Sequence, residues 1–205
     1  MSRAIASWLA RLGVSPNTIS IFGLIAAVVA GSCLAWTGSY ESYRPLLFIG
    51  AAGCIGLRLL ANMLDGMVAV EHNRLSPTGE VFNEVPDRLA DIAVLVGAGY
   101  AHTSEPALGY LAAIAALMTA YVRALGKSLG LPSDYRGPMA KPHRMGVVIL
   151  ACLALAIIPS LSTARMFWDS VGGMGAAIGV VALGSTATTL RRLVHLLHRL
   201  RSQGS

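Results

Sequence analysis

Long apolar runs recur along the whole chain, and almost no soluble fold can hide so many of them. Six stretches, at about 19–36, 46–70, 80–101, 107–125, 145–158 and 173–190, are long or apolar enough to read as membrane helices. The backbone of such a run must satisfy its hydrogen bonds internally, which leaves helices as the spanning structure. Only 13% of the 205 residues are charged, well under the soluble norm, and mean hydropathy is strongly positive. A soluble domain of this length has too high a surface-to-volume ratio to bury that surface. The expected fold is therefore an all-α membrane protein: one domain over residues 1–205, a bundle of six transmembrane helices in the lipid bilayer.

Residues 2–14 place Arg3 and Arg11 opposite Ile5, Trp8, Leu9 and Leu12, the pattern of a short interfacial amphipathic helix. Ser15-Pro16-Asn17-Thr18 then breaks the chain and offers a cap for the first span. The +6 charge does not read as nucleic-acid binding, because Lys and Arg gather at the two ends and in the 71–79 and 127–144 loops. An even number of spans puts all four segments on one side, and only Arg44 and Arg165 fall in loops on the other. The positive-inside bias makes the first side cytoplasmic, with both termini there, and the cell membrane the location. Cys33, Cys54 and Cys152 lie within apolar runs without zinc spacing and read as packing residues. The five histidines sit at ends and in loops and read as interfacial.

Two spans carry polar groups that lipid does not tolerate. The second ends Asn62-Met63-Leu64-Asp65-Gly66-Met67-Val68-Ala69, and the third begins Gly79-Glu80-Val81-Phe82-Asn83-Glu84-Val85-Pro86-Asp87. Asn62 and Asp65 are three residues apart and share a helix face. Asn83, Asp87 and Asp91 recur every fourth residue and form one stripe. A short 71–79 loop should make the two helices antiparallel neighbours whose oxygen-rich faces meet. An unpaired carboxylate at mid-membrane costs roughly 2.5–3.5 kcal/mol, and several together repel. A hard cation such as Mg²⁺ or Mn²⁺ relieves both penalties with an all-oxygen donor set. The competing reading is structural: Asp65, Asp87 and Asp91 pair with Arg58, Arg88 or Arg123 and brace the bundle.

These residues resemble the signature of the CDP-alcohol phosphotransferases, D-x-x-D-G-x-x-A-R, a short loop, then G-x-x-x-D-x-x-x-D. Asp65-Gly66 and Ala69 fall on the D-G-x-x-A core, and Gly79 and Asp87 on the G and the last D. Pro16-Asn17-Thr18-Ile19-Ser20 with Gly23, Tyr121-Val122-Arg123-Ala124, and Gly137, Lys141 and Arg144 are similar to further family segments, so the likeness covers most of the chain. Asn62 and Asn83 stand where Asp belongs, and Val70 where Arg belongs. Two metal ions on two signature carboxylates would be under-neutralised, and Glu84 and Asp91 are the nearby carboxylates that could compensate.

The resemblance implies an enzyme that moves a phosphatidyl-type group from a CDP-linked lipid donor to the hydroxyl of a small polar acceptor, such as a polyol phosphate, releasing CMP. It implies Asp65 and Asp87 as metal ligands, Asn62 and Asn83 as weaker ones, and Asp87 also as the general base. Gly66, Ala69 and Gly79 would let the cytidine nucleotide approach the backbone, although small residues also serve close helix packing. Arg123, Lys141 and Arg144 would hold an acceptor phosphate, unless the last two are ordinary loop charges. The resemblance also implies a homodimer, for which no stretch of sequence singles out an interface. The alternatives are a non-catalytic relative that binds nucleotide or lipid, and a small transporter, for which no paired inverted halves are visible.

Overall fold

The computed structural model describes residues 15–71, 79–158, 160–161, 165–167 and 171–203. The proposed interfacial helix at 2–14 and most of the 71–79 loop lie outside the described residues. Six long helices dominate: α1 Pro16–Trp36, α2 Arg44–Glu71, α3 Gly79–Gly99, α4 Pro106–Ser128, α5 Lys141–Ile157 and α6 Gly173–Gln203. A 3₁₀ turn at Glu41–Tyr43 leads into α2. Before α6 lie two short strands, β1 Arg165–Phe167 and β2 Val171–Gly172, paired antiparallel. Four helical segments are long and apolar enough to cross a membrane: Pro16–Trp36, Glu41–Val68, Pro106–Ser128 and Gly173–Ser202. The chain is thus an all-α membrane protein apart from this small ladder.

Helix ends follow local chemistry. The Ser15 side chain accepts from the Thr18 amide at 3.1 Å, with Pro16 in the first turn where no amide partner is needed. α4 closes at Gly130, whose φ of +78° suits glycine. There the Gly130 and Leu131 amides donate to the Lys127 and Gly126 carbonyls. α6 runs well past the expected end near 190, because Arg191 to Gln203 contains no helix breaker. α5 begins at Lys141 rather than near 145, with Pro142 in its first turn.

α1 is the central strut. It packs on both α2 and α3, while α4 packs on α3 and α6, and α2 on α5. The backbones approach closely where side chains vanish: a Cβ on Gly31 would collide with the Ala93 carbonyl, and one on Gly97 with the Gly31 backbone. Without a hydrophobic force between helices in lipid, such close packing is what holds them. Ala27, Ala30, Leu34, Phe48, Ile55, Val94 and Leu95 fill the core, while Ile21, Phe22, Ile25, Val28 and Val29 of α1 face outward, as lipid contact requires. α2 and α3 are not among the closely packed backbone pairs. They meet through side chains, Arg58 of α2 with Asp87 of α3.

Candidate transfer centre between three helices

The polar stripes of α2 and α3 do meet, together with the start of α5. Asp87 of α3 forms ion pairs with both Arg58 of α2 and Lys141 of α5. Lys141 Nζ also donates to Asn62 Oδ1 at 2.9 Å. One ammonium therefore joins the first position of the α2 motif to the last of the α3 motif. Asp65 lies within electrostatic range of Asp87 and Arg58. It is only 4% exposed. Its Oδ2 accepts from Ser20 Oγ of α1 at 2.7 Å. Among the described residues its Oδ1 is buried without a hydrogen-bond partner.

The other expected acidic residues are taken. Asp91 Oδ2 meets Arg144 Nη2 at 2.8 Å, both buried. Arg144 also donates to Thr119 Oγ1 and the Met139 carbonyl, each at 3.1 Å. Glu84 binds Arg123 at 2.7 Å and Arg88 one helical turn on. The compensating roles foreseen for Glu84 and Asp91 thus meet arginines instead of an open centre. The bracing alternative holds at Arg58–Asp87, whereas Arg88 and Arg123 choose Glu84, and Asp65 has Ser20. Among the described residues no three His, Cys, Asp or Glu side chains converge as a metal cluster. Asn83 is half-buried on the Asp87 stripe.

No described residue stands within 4 Å of where a Cβ of Gly66 would project. Its missing side chain leaves open space and serves no tight helix contact. The surroundings of Ala69 and Gly79 lie outside the described residues. Of the expected phosphate-binding cations, Arg144 is enclosed in the core, Lys141 points into the centre, and Arg123 lies at the rim with its guanidinium 5.5 Å from the Tyr135 ring. Ser20 and Arg58 complete the centre. Ser20 had a signal in its motif, but Arg58 had only its charge within an apolar run.

Lys141 is delivered by a clamped loop. Thr188 Oγ1 of α6 accepts from the Met139 amide at 3.0 Å. Arg192 donates to the carbonyls of Arg136 and Thr119 at 2.8 and 2.9 Å. Gly137, with φ +127°, lies so close to Thr188 that any side chain there would collide. Beside the centre, Thr18, Ile19, Phe22, Leu57, Leu60, Ala61 and Leu64 line a wholly apolar cleft between α1 and α2. Charge, orphaned oxygen and apolar cleft thus lie side by side.

No family model matches the sequence. The chain is 32% identical to archaetidylinositol phosphate synthase of Aeropyrum pernix, over 96% of this chain and 90% of that protein. It is 31% identical to phosphatidylinositol phosphate synthase of Mycobacteroides abscessus, over 75% and 68%. It is 28% identical to inner membrane protein YnbA of Escherichia coli K12, over 80% and 84%. Its fold resembles Mycobacterium tuberculosis phosphatidylinositol phosphate synthase crystallised with manganese and citrate. The TM-score is 0.74 at 21% identity, covering 96% of this chain and 89% of that one. The same enzyme with CDP-DAG bound gives a TM-score of 0.73.

Proposed function

The chain belongs to the CDP-alcohol phosphotransferase family, and from that premise we propose that its Asp65–Asp87 centre transfers a phosphatidyl-type group from CDP-diacylglycerol or a similar CDP-linked lipid to a polyol phosphate. The protein is an integral membrane transferase of a divalent-metal-dependent family. The observation that carries the site is the buried Asp65 Oδ1, without a hydrogen-bond partner among the described residues, in electrostatic range of Asp87 and beside an apolar cleft.

The lipid tails of the donor lie in the cleft between α1 and α2, with the diphosphate toward Lys141 and Arg58. Gly66 leaves room for the nucleotide. The Asp65 oxygen with no partner among the described residues, Ser20 Oγ and the donor's own diphosphate oxygens form an all-oxygen set that suits a hard divalent ion, while Arg58 and Lys141 occupy Asp87 and Asn62. Bound there, Mg²⁺ or Mn²⁺ would neutralise the diphosphate and ease departure of CMP.

Asp87 accepts the proton of the acceptor hydroxyl. The hydroxyl oxygen then bonds to the phosphorus that carries the lipid, and the bond from that phosphorus to the CMP oxygen breaks. CMP leaves with the bridging oxygen. Arg58 and Lys141 stay paired with Asp87 and orient its carboxylate toward the acceptor. Arg123 at the rim receives the acceptor's phosphate, while Arg144 fixes Asp91 and the α3 stripe. We assign six spans to the six helices, with both termini and the centre on the cytoplasmic side.

CMP release from CDP-diacylglycerol, measured across inositol phosphate, glycerol phosphate and unphosphorylated alcohols with Mg²⁺ or Mn²⁺, tests the proposal. Release that requires a phosphorylated polyol supports it. No release with any acceptor favours a relative that binds without turnover.

A further inference from the structure

We propose that Lys141 and Arg58 act as built-in cations in place of one divalent ion, so that this centre works with a single Mg²⁺ or Mn²⁺ on the Asp65 side. The inference rests on the transferase reading and adds the metal count and the residues that set it.

The charges balance in a specific way. Where the family signature has four carboxylates, this chain has two, because Asn62 and Asn83 are uncharged. Asp65 and Asp87 carry two negative charges and Arg58 and Lys141 two positive ones, so the side chains balance among themselves and the two charges of the donor's diphosphate are left for one divalent ion. Two monovalent cations meet on Asp87, Arg58 from α2 and Lys141 from α5. Lys141 also takes the carbonyl oxygen of Asn62. An ammonium donates to a neutral amide oxygen as readily as a metal would accept from it. The remaining nearby carboxylates do not upset this balance, since Glu84 holds Arg88 and Arg123 and Asp91 holds Arg144.

The lysine is not a loose loop charge. It stands on the first turn of α5, behind a loop fixed by Thr188 and Arg192. Its side chain is largely buried against Asp87, with Arg58 and Asp91 also in electrostatic range. The Asp65 side differs. There the carboxylate has Ser20 and an unused oxygen, and no ion pair to it occurs among the described residues. One cation position is filled by the protein, and one is left for a metal.

The test is a count of bound Mn²⁺ by electron paramagnetic resonance, on the full chain in lipid nanodiscs, with and without CDP. One Mn²⁺ per chain is expected, uncoupled, in the native protein and in Lys141→Arg. Asn62→Asp alone should still bind one, because Lys141 then pairs with the new carboxylate. Asn62→Asp with Lys141→Met should bind two, with the spectrum of an exchange-coupled pair and a second-site affinity roughly tenfold or more above that of Asn62→Asp. Two coupled ions in the native protein or in Asn62→Asp, or none in the native protein, would overturn the proposal. If the double variant fails to fold, the counts for the native protein and Asn62→Asp still decide. Because the count needs no turnover, one bound ion without CMP release would tell against the transferase reading alone.

Discussion

Arg144 Nη2 lies 2.8 Å from Asp91 Oδ2, and both side chains are sealed in the bundle. This contact ties α5 to α3, and the other Arg144 donors tie it to α4 and the preceding loop. A buried pair of this kind is expensive to break from one side, since the survivor is left uncompensated. Asp91→Asn should destabilise the protein by about 3–5 kcal/mol, seen as a lower thermal unfolding midpoint in detergent. Turnover per folded molecule should change far less. Unchanged stability with abolished turnover would move Asp91 from the frame into the chemistry.

Asp87 makes the opposite prediction. It joins Arg58 and Lys141 at the centre, and the neighbouring signature positions hold Asn62 and Asn83, which cannot take a proton in its place. Asp87→Asn should lower kcat by roughly 10²–10⁴-fold, the usual worth of a general base, while the protein still inserts and elutes as a single species. Near-normal kcat with the best acceptor would remove Asp87 from the role of base.

The cleft of α1 and α2 gives a third prediction. Leu60 lines it and is partly open to the exterior. Leu60→Trp should raise KM for long-chain CDP-diacylglycerol several-fold and leave KM for a short-chain donor nearly unchanged. Equal effects on both donors would place the tails elsewhere.

Topology is tested separately. Reporter fusions after residues 40, 75, 104, 135 and 163 should alternate sides, beginning outside, if six spans leave both ends cytoplasmic. Positions 75 and 135 found outside would refute that orientation.

Much of the frame was legible because lipid imposes simple rules. Apolar runs marked the helices, four of them long and apolar enough to cross a membrane, and Ser15-Pro16 marked the start of α1. The spacing of Asn83, Asp87 and Asp91 gave a true helical stripe, carried through Pro86 within α3. What could not be read was which cation faces which carboxylate. Lys141 and Asn62 are 79 positions apart, and no local periodicity links them. For the same reason Glu84 and Asp91 read as spare charge when arginines from other helices already neutralise them. The extent of α6 was missed because a basic amphipathic tail lacks the apolar signal that marks a span, yet remains a good helix former.

The most direct test of the central claim follows the transferred group. Purified protein, CDP-diacylglycerol, Mn²⁺ and ³²P-labelled inositol phosphate should yield labelled, chloroform-soluble phospholipid and CMP in equal amounts, and Asp87→Asn should reduce both together. If folded native protein binds CDP-diacylglycerol but yields neither labelled lipid nor CMP with any phosphorylated polyol, the centre described here is not a transferase site.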